Sequence, residues 1–382
     1  MRKRECHASS WIMALSEAIA DHGSVDLHIV TETPLVSKSQ TLKIRDRLTM
    51  HLVRNAVPLT RRGWPPYLPW DILTGFKAGI RKMKAVICQI HPDMVHGHGT
   101  EQGYALAAAA CGYPYAVSMQ GIITRIAETD PRFRFRVVQK HEQEAVRRGH
   151  YFFCRTDFDS EFVHGFNPTA RIFNVPEAIN PVYFKDSWTD TGSQCILCVS
   201  SPLPYKGLNI LIEATAIVRR TMPDVTLAVA GDFDARERSR LLRMAASLTG
   251  STQWLDFLGF LAPSDLACKQ RECGVFVHPT LEDNSPNAVA EAMVSGMPVI
   301  ASRTGGLPSM IKDGITGILV HRCDTQELAF AIKRLLTDYP MRQALSKSAR
   351  AAGTLHWPPL VAEKMINSYG AILSELRAGE IS

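Results

Sequence analysis

Short apolar runs alternate with amphipathic stretches along nearly the whole chain, the pattern of parallel strands covered by helices. In the first half this predicts a helix near residues 9–21, a strand at Leu27–Thr31, a helix around 70–88 and a strand ending at Met94–Val95. A helix near 102–111, a strand at Tyr115–Met119, a helix at 135–149 and a strand at Tyr151–Phe153 follow. The polar stretch DSWTDTGSQ (186–194) lacks periodicity and reads as a linker. Beyond it the alternation restarts more cleanly. Strands are expected at 195–200, 225–230, 254–258, 274–277 and 298–302, with helices at 207–221, 234–248, 264–272 and 286–295 and three closing helical segments. The fold class is α/β, with two Rossmann-like, doubly wound domains expected over 1–190 and 191–360 and a last helix over 361–382.

A doubly wound domain normally opens with a strand, a tight glycine-rich turn and then a helix. Here the helix SWIMALSEAIADHG comes first, so the first strand and its phosphate-binding turn are expected to be absent from the chain as it stands. One strand and turn would need on the order of 20 further residues upstream.

With 382 residues, 46% hydrophobic and 21% charged, the chain has the composition of a globular protein of about two domains, not of a disordered tail or a single binding module. No apolar run approaches the roughly 18 residues of a membrane-spanning helix, and MRKRECHASSWIMAL has no clean apolar core before Glu17, so a cytoplasmic protein is expected. Nine scattered cysteines argue against a disulfide framework. Cys195 and Cys198 have CxxC spacing, but within a strand they fall on opposite faces, and no second pair completes a metal site.

The net charge of +6 is uneven: residues 1–190 hold 24 Lys/Arg against 19 Asp/Glu, residues 191–382 hold 19 against 18. Basic residues cluster at Arg54, Arg61, Arg62, Lys77, Arg81, Lys82 and Lys84, beside Trp64, Tyr67 and Trp70, and again from Arg132 to Arg148. Two readings stand, solvated helix faces or peripheral docking on the inner face of an anionic membrane. Nucleic-acid binding is not expected, because the excess is small and no such motif occurs.

The most informative stretch is HPTLEDNSPNAVAEAMVSGMPVIASRTGG (278–306). Ser285 suits an N-cap, Pro286 the first helical position and Gly296 the residue after the helix. A helix N-terminus binds anions, so the Asp283–Asn287 loop can cradle a diphosphate. Glu282 and Asp283 would repel that anion unless they face hydroxyl groups instead, as a sugar offers. Glu291, eight residues beyond Asp283 on the helix interior, would suit the two hydroxyls of a ribose. The competing reading has the acids capping the helix and Glu291 on the surface.

The acid-x7-acid spacing with EAMxxGxPVIAS and GG behind it resembles the retaining glycosyltransferases of family 4, group 1 glycosyl transferases of the GT-B fold. CVSSPLPYKGLNILIEA (198–214), VTLAVAGD (225–232), FLGFL (257–261) and DGITGILV (313–320) extend the resemblance, as does PDMVHGHGTEQGYALAAAACGYPYAVSMQGI (92–122) in the first half. It implies two domains facing a cleft, the last helix crossing back to the first domain, a nucleoside-diphosphate sugar as co-substrate, and no cofactor or metal. Carried over by position, Glu291 would bind the ribose, Asp283 would face the donor sugar, and Lys206 of YKG would contact the donor phosphates. Glu282, Asn284, Ser285 and Asn287 would complete the donor loop, and Gly259 and Phe260 would line the nucleobase. His98, Gly99, Thr100 and Glu101 become acceptor-side candidates; His96 and His98 also read as structural residues or a metal pair.

Three positions depart from the family pattern. Ser201 stands where an arginine usually helps clamp the diphosphate, Gln120 where a histidine is common, and Ser309 where an acid follows GG and Pro. Glutamine cannot act as a base near neutral pH. In a front-face transfer the departing phosphate can take the acceptor's proton instead. The expected function is transfer of a sugar to a saccharide or lipid-linked saccharide in surface polysaccharide or lipopolysaccharide assembly. The alternatives are a catalytically impaired nucleotide-sugar-binding relative or subunit, and a nucleotide-sugar epimerase of the same fold.

Overall fold

A computed structural model describes residues 10–55, 70–130 and 132–380. Arg61, Arg62, Trp64 and Tyr67 of the first basic cluster lie outside the described residues. The chain divides into two compact units, one from Leu15–Pro176 with Pro359–Ser382, the other built on Glu177–Pro358.

In the first unit α1 (Ser10–His22), which belongs to it from Leu15 on, precedes β1 (Leu27–Thr33), β2 (Gln40–Arg45) and β3 (Leu48–Arg54). Then come α2 (Trp70–Leu73), α3 (Lys77–Ile90), β4 (Val95–His98), α4 (Tyr104–Ala110), β5 (Tyr115–Ser118), α5 (Ile123–Thr129), α6 (Phe133–Arg148), β6 (Tyr151–Cys154), α7 (Asp157–Phe166) and β7 (Arg171–Asn174). Among the described residues these strands form two ladders, β1-β3-β2 and β4-β5-β6-β7, not one continuous sheet. The β2–β3 hairpin was not evident from the sequence. Every residue of β2 is exposed, so no buried face imposes an apolar rhythm on it.

The second unit contains α8 (Val182–Lys185), β8 (Cys195–Val199), a 3-10 turn at Pro204–Lys206, α9 (Leu208–Arg219), β9 (Thr226–Ala230), α10 (Ala235–Thr249), β10 (Leu255–Gly259) and α11 (Pro263–Glu272). It continues with β11 (Val275–His278), α12 (Asn287–Ser295), β12 (Val299–Ser302), α13 (Leu307–Met310), β13 (Ile318–Val320), α14 (Thr325–Thr337) and α15 (Tyr339–Gly353). The six strands pair in the order β10-β9-β8-β11-β12-β13, all parallel. Period-two alternation sorts their side chains cleanly. Ile196, Cys198, Leu227, Val229, Val275, Val277 and Ile300 join the core under α9, α10 and α14. Leu197, Ala228, Phe276, Val299 and Ala301 join the core on the other face, under α11 and α12.

Three expectations are corrected. The 186–194 stretch lies inside the second unit, since the division falls between 176 and 177, and Trp188 within it is buried, its Nε1 donating to the Cys273 carbonyl at 2.8 Å. Asp190 pairs with Arg342 at 2.7 Å, both side chains almost inaccessible. Asp186, Ser187, Thr189, Thr191 and Gly192 are exposed, so the polarity there combines solvated positions with one buried ion pair. Next, Ser285 is not the N-cap and Pro286 not the first helical residue. The Pro286 carbonyl accepts from Val289 N at 3.0 Å, so Pro286 is itself the cap residue and no side chain caps α12. Pro286 has a helix-compatible φ of −66 fixed by its ring but an extended ψ of 118, so the helix starts one position later than the Ser-Pro signal suggests. Finally, the last helix, α16 (Pro358–Glu380), begins before 361. From Pro359 it belongs to the first unit, where Glu375 pairs with Arg171 at 2.6 Å and Tyr369 with His96 at 2.7 Å.

Among the described residues no helix is long and apolar enough to cross a membrane.

Candidate active site

In the second unit the strand order reverses between β8 and β11, and open α/β sheets hold ligands beyond the carboxyl ends of strands at such a reversal. Both chain segments leaving those ends carry site candidates. After β8 the chain makes the 3-10 turn that ends in Lys206, and Gly207 follows at φ +67. A Cβ on Gly207 would sit 1.9 Å from the Pro279 carbonyl oxygen, so only glycine lets the turn approach the loop after β11. Leu281 N donates to the Tyr205 carbonyl at 2.7 Å and Thr280 Oγ1 donates to it at 3.1 Å, locking turn to loop.

That contact brings Lys206 Nζ to 2.6 Å from Asp283 Oδ2, and His278 Nε2, from the last residue of β11, to 3.1 Å from the same oxygen. A carboxylate only accepts, so Nε2 carries the hydrogen. Burial by itself would raise the Asp283 pKa, but the Lys206 ammonium and the His278 bond outweigh it and hold the carboxyl well below its usual range. Burial pushes Lys206 down, and the Asp283 charge overcomes this and leaves it raised. For His278 burial wins, and its pKa is lowered despite Asp283. The site therefore holds an ionised carboxylate between an ammonium and a neutral imidazole.

Gly305 and Gly306 set the far wall. Gly306 N donates to the Asp283 carbonyl at 3.0 Å, and a Cβ on Gly305, at φ +55, would lie 1.8 Å from that oxygen. Glu282 is buried on the other side of the loop, its Oε2 3.5 Å from Thr304 Oγ1 and 3.8 Å from Arg322 Nη1. Asn284 is buried, Ser285 and Asn287 half-buried, at the uncapped start of α12. Glu291 is 2% exposed, which removes the surface reading. Its neighbour is the phenol of Tyr183, whose pKa rises first through burial and then through the Glu291 carboxylate.

Ser201 follows β8, with its Oγ buried and lacking a hydrogen-bond partner among the described residues. Gly259 closes β10 at φ +71 and Phe260 is 45% exposed beside it.

The first-unit candidates gather at the carboxyl ends of β4 and β5. Gly99 has φ +89, a conformation strained for any other residue, and a Cβ there would stand 2.3 Å from Glu101 Oε2 and 3.2 Å from Gln120 Cγ, so the Glu101 side chain would have to shift. Glu101 Oε1 accepts from Gly121 N at 2.8 Å; burial raises its pKa against that bond. His98 packs at a tilt against His96, ring centroids 4.1 Å apart, and is pushed down to about 4 by burial, then by the Arg155 charge. His96 is bonded to Tyr369 and Ser118, a structural role. Thr100 belongs to a buried network as well: its hydroxyl donates to Glu142 at 3.0 Å, alongside Ile123 N and Thr124 N.

Residues 181–352 match the family described as glycosyl transferases group 1. The second unit contains a group 1 glycosyltransferase domain. The chain is 27% identical over 237 residues, 58% of its length, to the GDP-mannose-dependent alpha-(1-6)-phosphatidylinositol monomannoside mannosyltransferase of Mycolicibacterium smegmatis, and spans 59% of that relative. It is 24% identical to D-inositol 3-phosphate glycosyltransferase of Stackebrandtia nassauensis over 94% of this chain and 85% of that one. The solved sucrose-phosphate synthase of Thermosynechococcus elongatus superposes with a TM-score of 0.81 at 18% identity, covering 97% of this chain and 94% of its own. The fold is GT-B, two Rossmann-like units.

Within the glycosyltransferase domain the sequence reading missed His278 and Tyr183, and in the first unit Arg155. His278 and Arg155 stand at or just after the ends of β11 and β6, so the rule that sites lie at carboxyl strand ends would have found them. Tyr183 carries no such signal; only packing sets it beside Glu291.

Proposed function

We propose that the chain is a retaining glycosyltransferase that moves a sugar from a nucleoside-diphosphate sugar to a saccharide or lipid-linked saccharide acceptor. The observation that carries this reading is the Lys206–Asp283 pair, just ahead of an uncapped helix start, with a buried carboxylate at Glu291 further along the same helix. Lys206 and the first N–H groups of α12 take the diphosphate, and their positive charge offsets the charge that grows on the leaving group, so no metal is required. Asp283 faces hydroxyls of the donor sugar and Glu291 the ribose, while Gly259 and Phe260 line the base. Ser201 leaves the diphosphate clamp to Lys206 and α12. On the acceptor side, Gln120 offers hydrogen bonds but no base at neutral pH, Glu101 and His98 offer further polar contacts, and the departing phosphate takes the acceptor's proton. Support for the donor class comes from the GDP-mannose dependence in one relative's name, and for a polar or lipid-bearing acceptor from the inositol phosphate and phosphatidylinositol mannoside in the two names. The exposed basic side chains of α3 and α6, among them Arg81, Lys84, Arg136 and Arg147, suit an acceptor presented at an anionic surface.

Isothermal titration with UDP, GDP and ADP, followed by hydrolysis of UDP-glucose and GDP-mannose, tests the reading. Binding of one diphosphate with slow hydrolysis of its sugar is expected. Binding without any turnover would support the impaired relative instead, and no binding at all would sink the assignment.

A further inference from the structure

Asp283 Oδ2 has two donors on two separate segments, and the two differ in how free they are to leave. Lys206 ends a 3-10 turn on a flexible four-carbon stem, and its side chain is 22% exposed. His278 ends a central strand, and its side chain is 5% exposed. A diphosphate carries more negative charge than one carboxylate, so an arriving nucleotide-sugar draws Lys206 away from Asp283. Were Lys206 the sole partner, Asp283 would then be a buried carboxylate with its best hydrogen bond lost, free to turn at the moment it must hold a sugar hydroxyl.

We propose that His278 is the positioning residue that keeps Asp283 aimed once Lys206 has moved to the donor diphosphate. Its ring is suited to this in two ways. Nε2 already donates to the carboxylate at 3.1 Å, and Nδ1 is buried with no hydrogen-bond partner among the described residues. A bare Nδ1 is the form that obliges Nε2 to carry the hydrogen, so the tautomer that holds Asp283 is the one this environment stabilises. As a neutral donor, His278 also adds no positive charge that would compete with Lys206 for the diphosphate. The division of labour is thus between a mobile cation for the phosphates and a fixed neutral donor for the carboxylate.

The proposal rests on the nucleotide-sugar reading, and two measurements separate the failure of each. His278→Leu removes the donor and His278→Gln keeps an N–H of similar reach. With UDP-glucose and GDP-mannose as probes, kcat for hydrolysis should fall roughly ten- to a hundredfold in the leucine variant, the loss of one hydrogen bond to a charged group. KM and the affinity for UDP or GDP should change less than about threefold, because Lys206 still meets the phosphates, and glutamine should restore most of kcat. Equal losses in the two variants, or a loss in diphosphate affinity with kcat intact, would overturn the proposal. The second measurement needs no turnover. Nitrogen-15 shifts of the His278 ring should report Nε2–H with bare Nδ1 in wild type and also in Lys206→Met; a ring that changes tautomer or becomes mobile in Lys206→Met overturns the positioning role. A wild-type protein that binds neither nucleotide while its His278 keeps that tautomer in Lys206→Met would refute the nucleotide-sugar reading and uphold the His278–Asp283 anchor.

Discussion

Lys206 Nζ reaches Asp283 Oδ2 at 2.6 Å across 77 positions of sequence. The pair exists because two loops leave neighbouring parallel strands on the same side of the sheet, and because Gly207 lets them touch. Each charge sets the other's ionisation, so the contact can be read through pH as well as by mutation.

Asp283 is depressed in the folded protein, so its contribution to stability is present above the unfolded carboxyl pKa of about 4 and is lost as pH falls further. Lys206 is raised, so its share is complete at neutral pH and disappears only as strongly alkaline pH is approached. Lys206→Met should therefore cost about 1–3 kcal/mol at pH 7 and progressively less below pH 4. Urea unfolding between pH 3 and 8 measures this; a gap that stays constant into acid would contradict the pairing.

Glu291→Ala should weaken UDP or GDP, whichever binds, by about tenfold or more, and leave the affinity for the matching 2′,3′-dideoxy nucleotide nearly unchanged. Titration of both ligands against both proteins closes the cycle. An equal loss for the two nucleotides would mean that Glu291 does not meet the ribose.

Gly305→Ala forces a Cβ into the Asp283 carbonyl, whereas Gly314, at a similar positive φ of +72, faces open space. The Gly314 substitution should cost roughly 1–2 kcal/mol from backbone strain alone. At Gly305 the cost should exceed that by about 2 kcal/mol and be accompanied by loss of diphosphate binding. Urea midpoints and titration of the two variants settle it.

Cys195 Sγ stands 2.8 Å from Cys273 Sγ, not beside Cys198, and the Cys273 thiol lowers Cys195 to about 7 despite the upward push of burial. Cys273→Ala should return Cys195 toward the ordinary thiol range and slow its alkylation by iodoacetamide at pH 7 several-fold. Peptide mass spectrometry over time reads the rate; an unchanged rate would dissolve the pair.

Removing one partner of a buried ion pair strands the other, so Arg342→Met should destabilise the protein by about 3–5 kcal/mol through Asp190. Chemical denaturation would measure the loss. A variant that unfolds at the wild-type midpoint would contradict the pair.

Much of the glycosyltransferase domain was legible in the chain because its strands are buried on both faces and its helices carry strong stops. The five strands expected from 195 to 302 lie within one or two residues of their observed ends, and Gly296 caps α12 at φ +80 as expected. The first unit was harder to read. Strands β2 and β7 and helices α5 and α7 are short or half-exposed, and each is stabilised by a neighbour more than by its own periodicity. The 186–194 stretch reads as a linker because most of it is exposed; that its Trp188 and Asp190 side chains are buried shows only in three dimensions.

Taken alone, the sequence determined the alternation of strand and helix in both halves, the acid-x7-acid pattern around α12 and the lysine of the YKG turn. These are properties of residue type and short-range spacing. The tertiary structure decided which groups share a charge: that Lys206, His278 and Asp283 converge on one oxygen, that Tyr183 lies against Glu291, and that Thr100 serves Glu142 and not a ligand. Those facts depend on strand order and on where glycine allows two backbones to meet. Strand order is set by long-range packing, which local pattern does not encode.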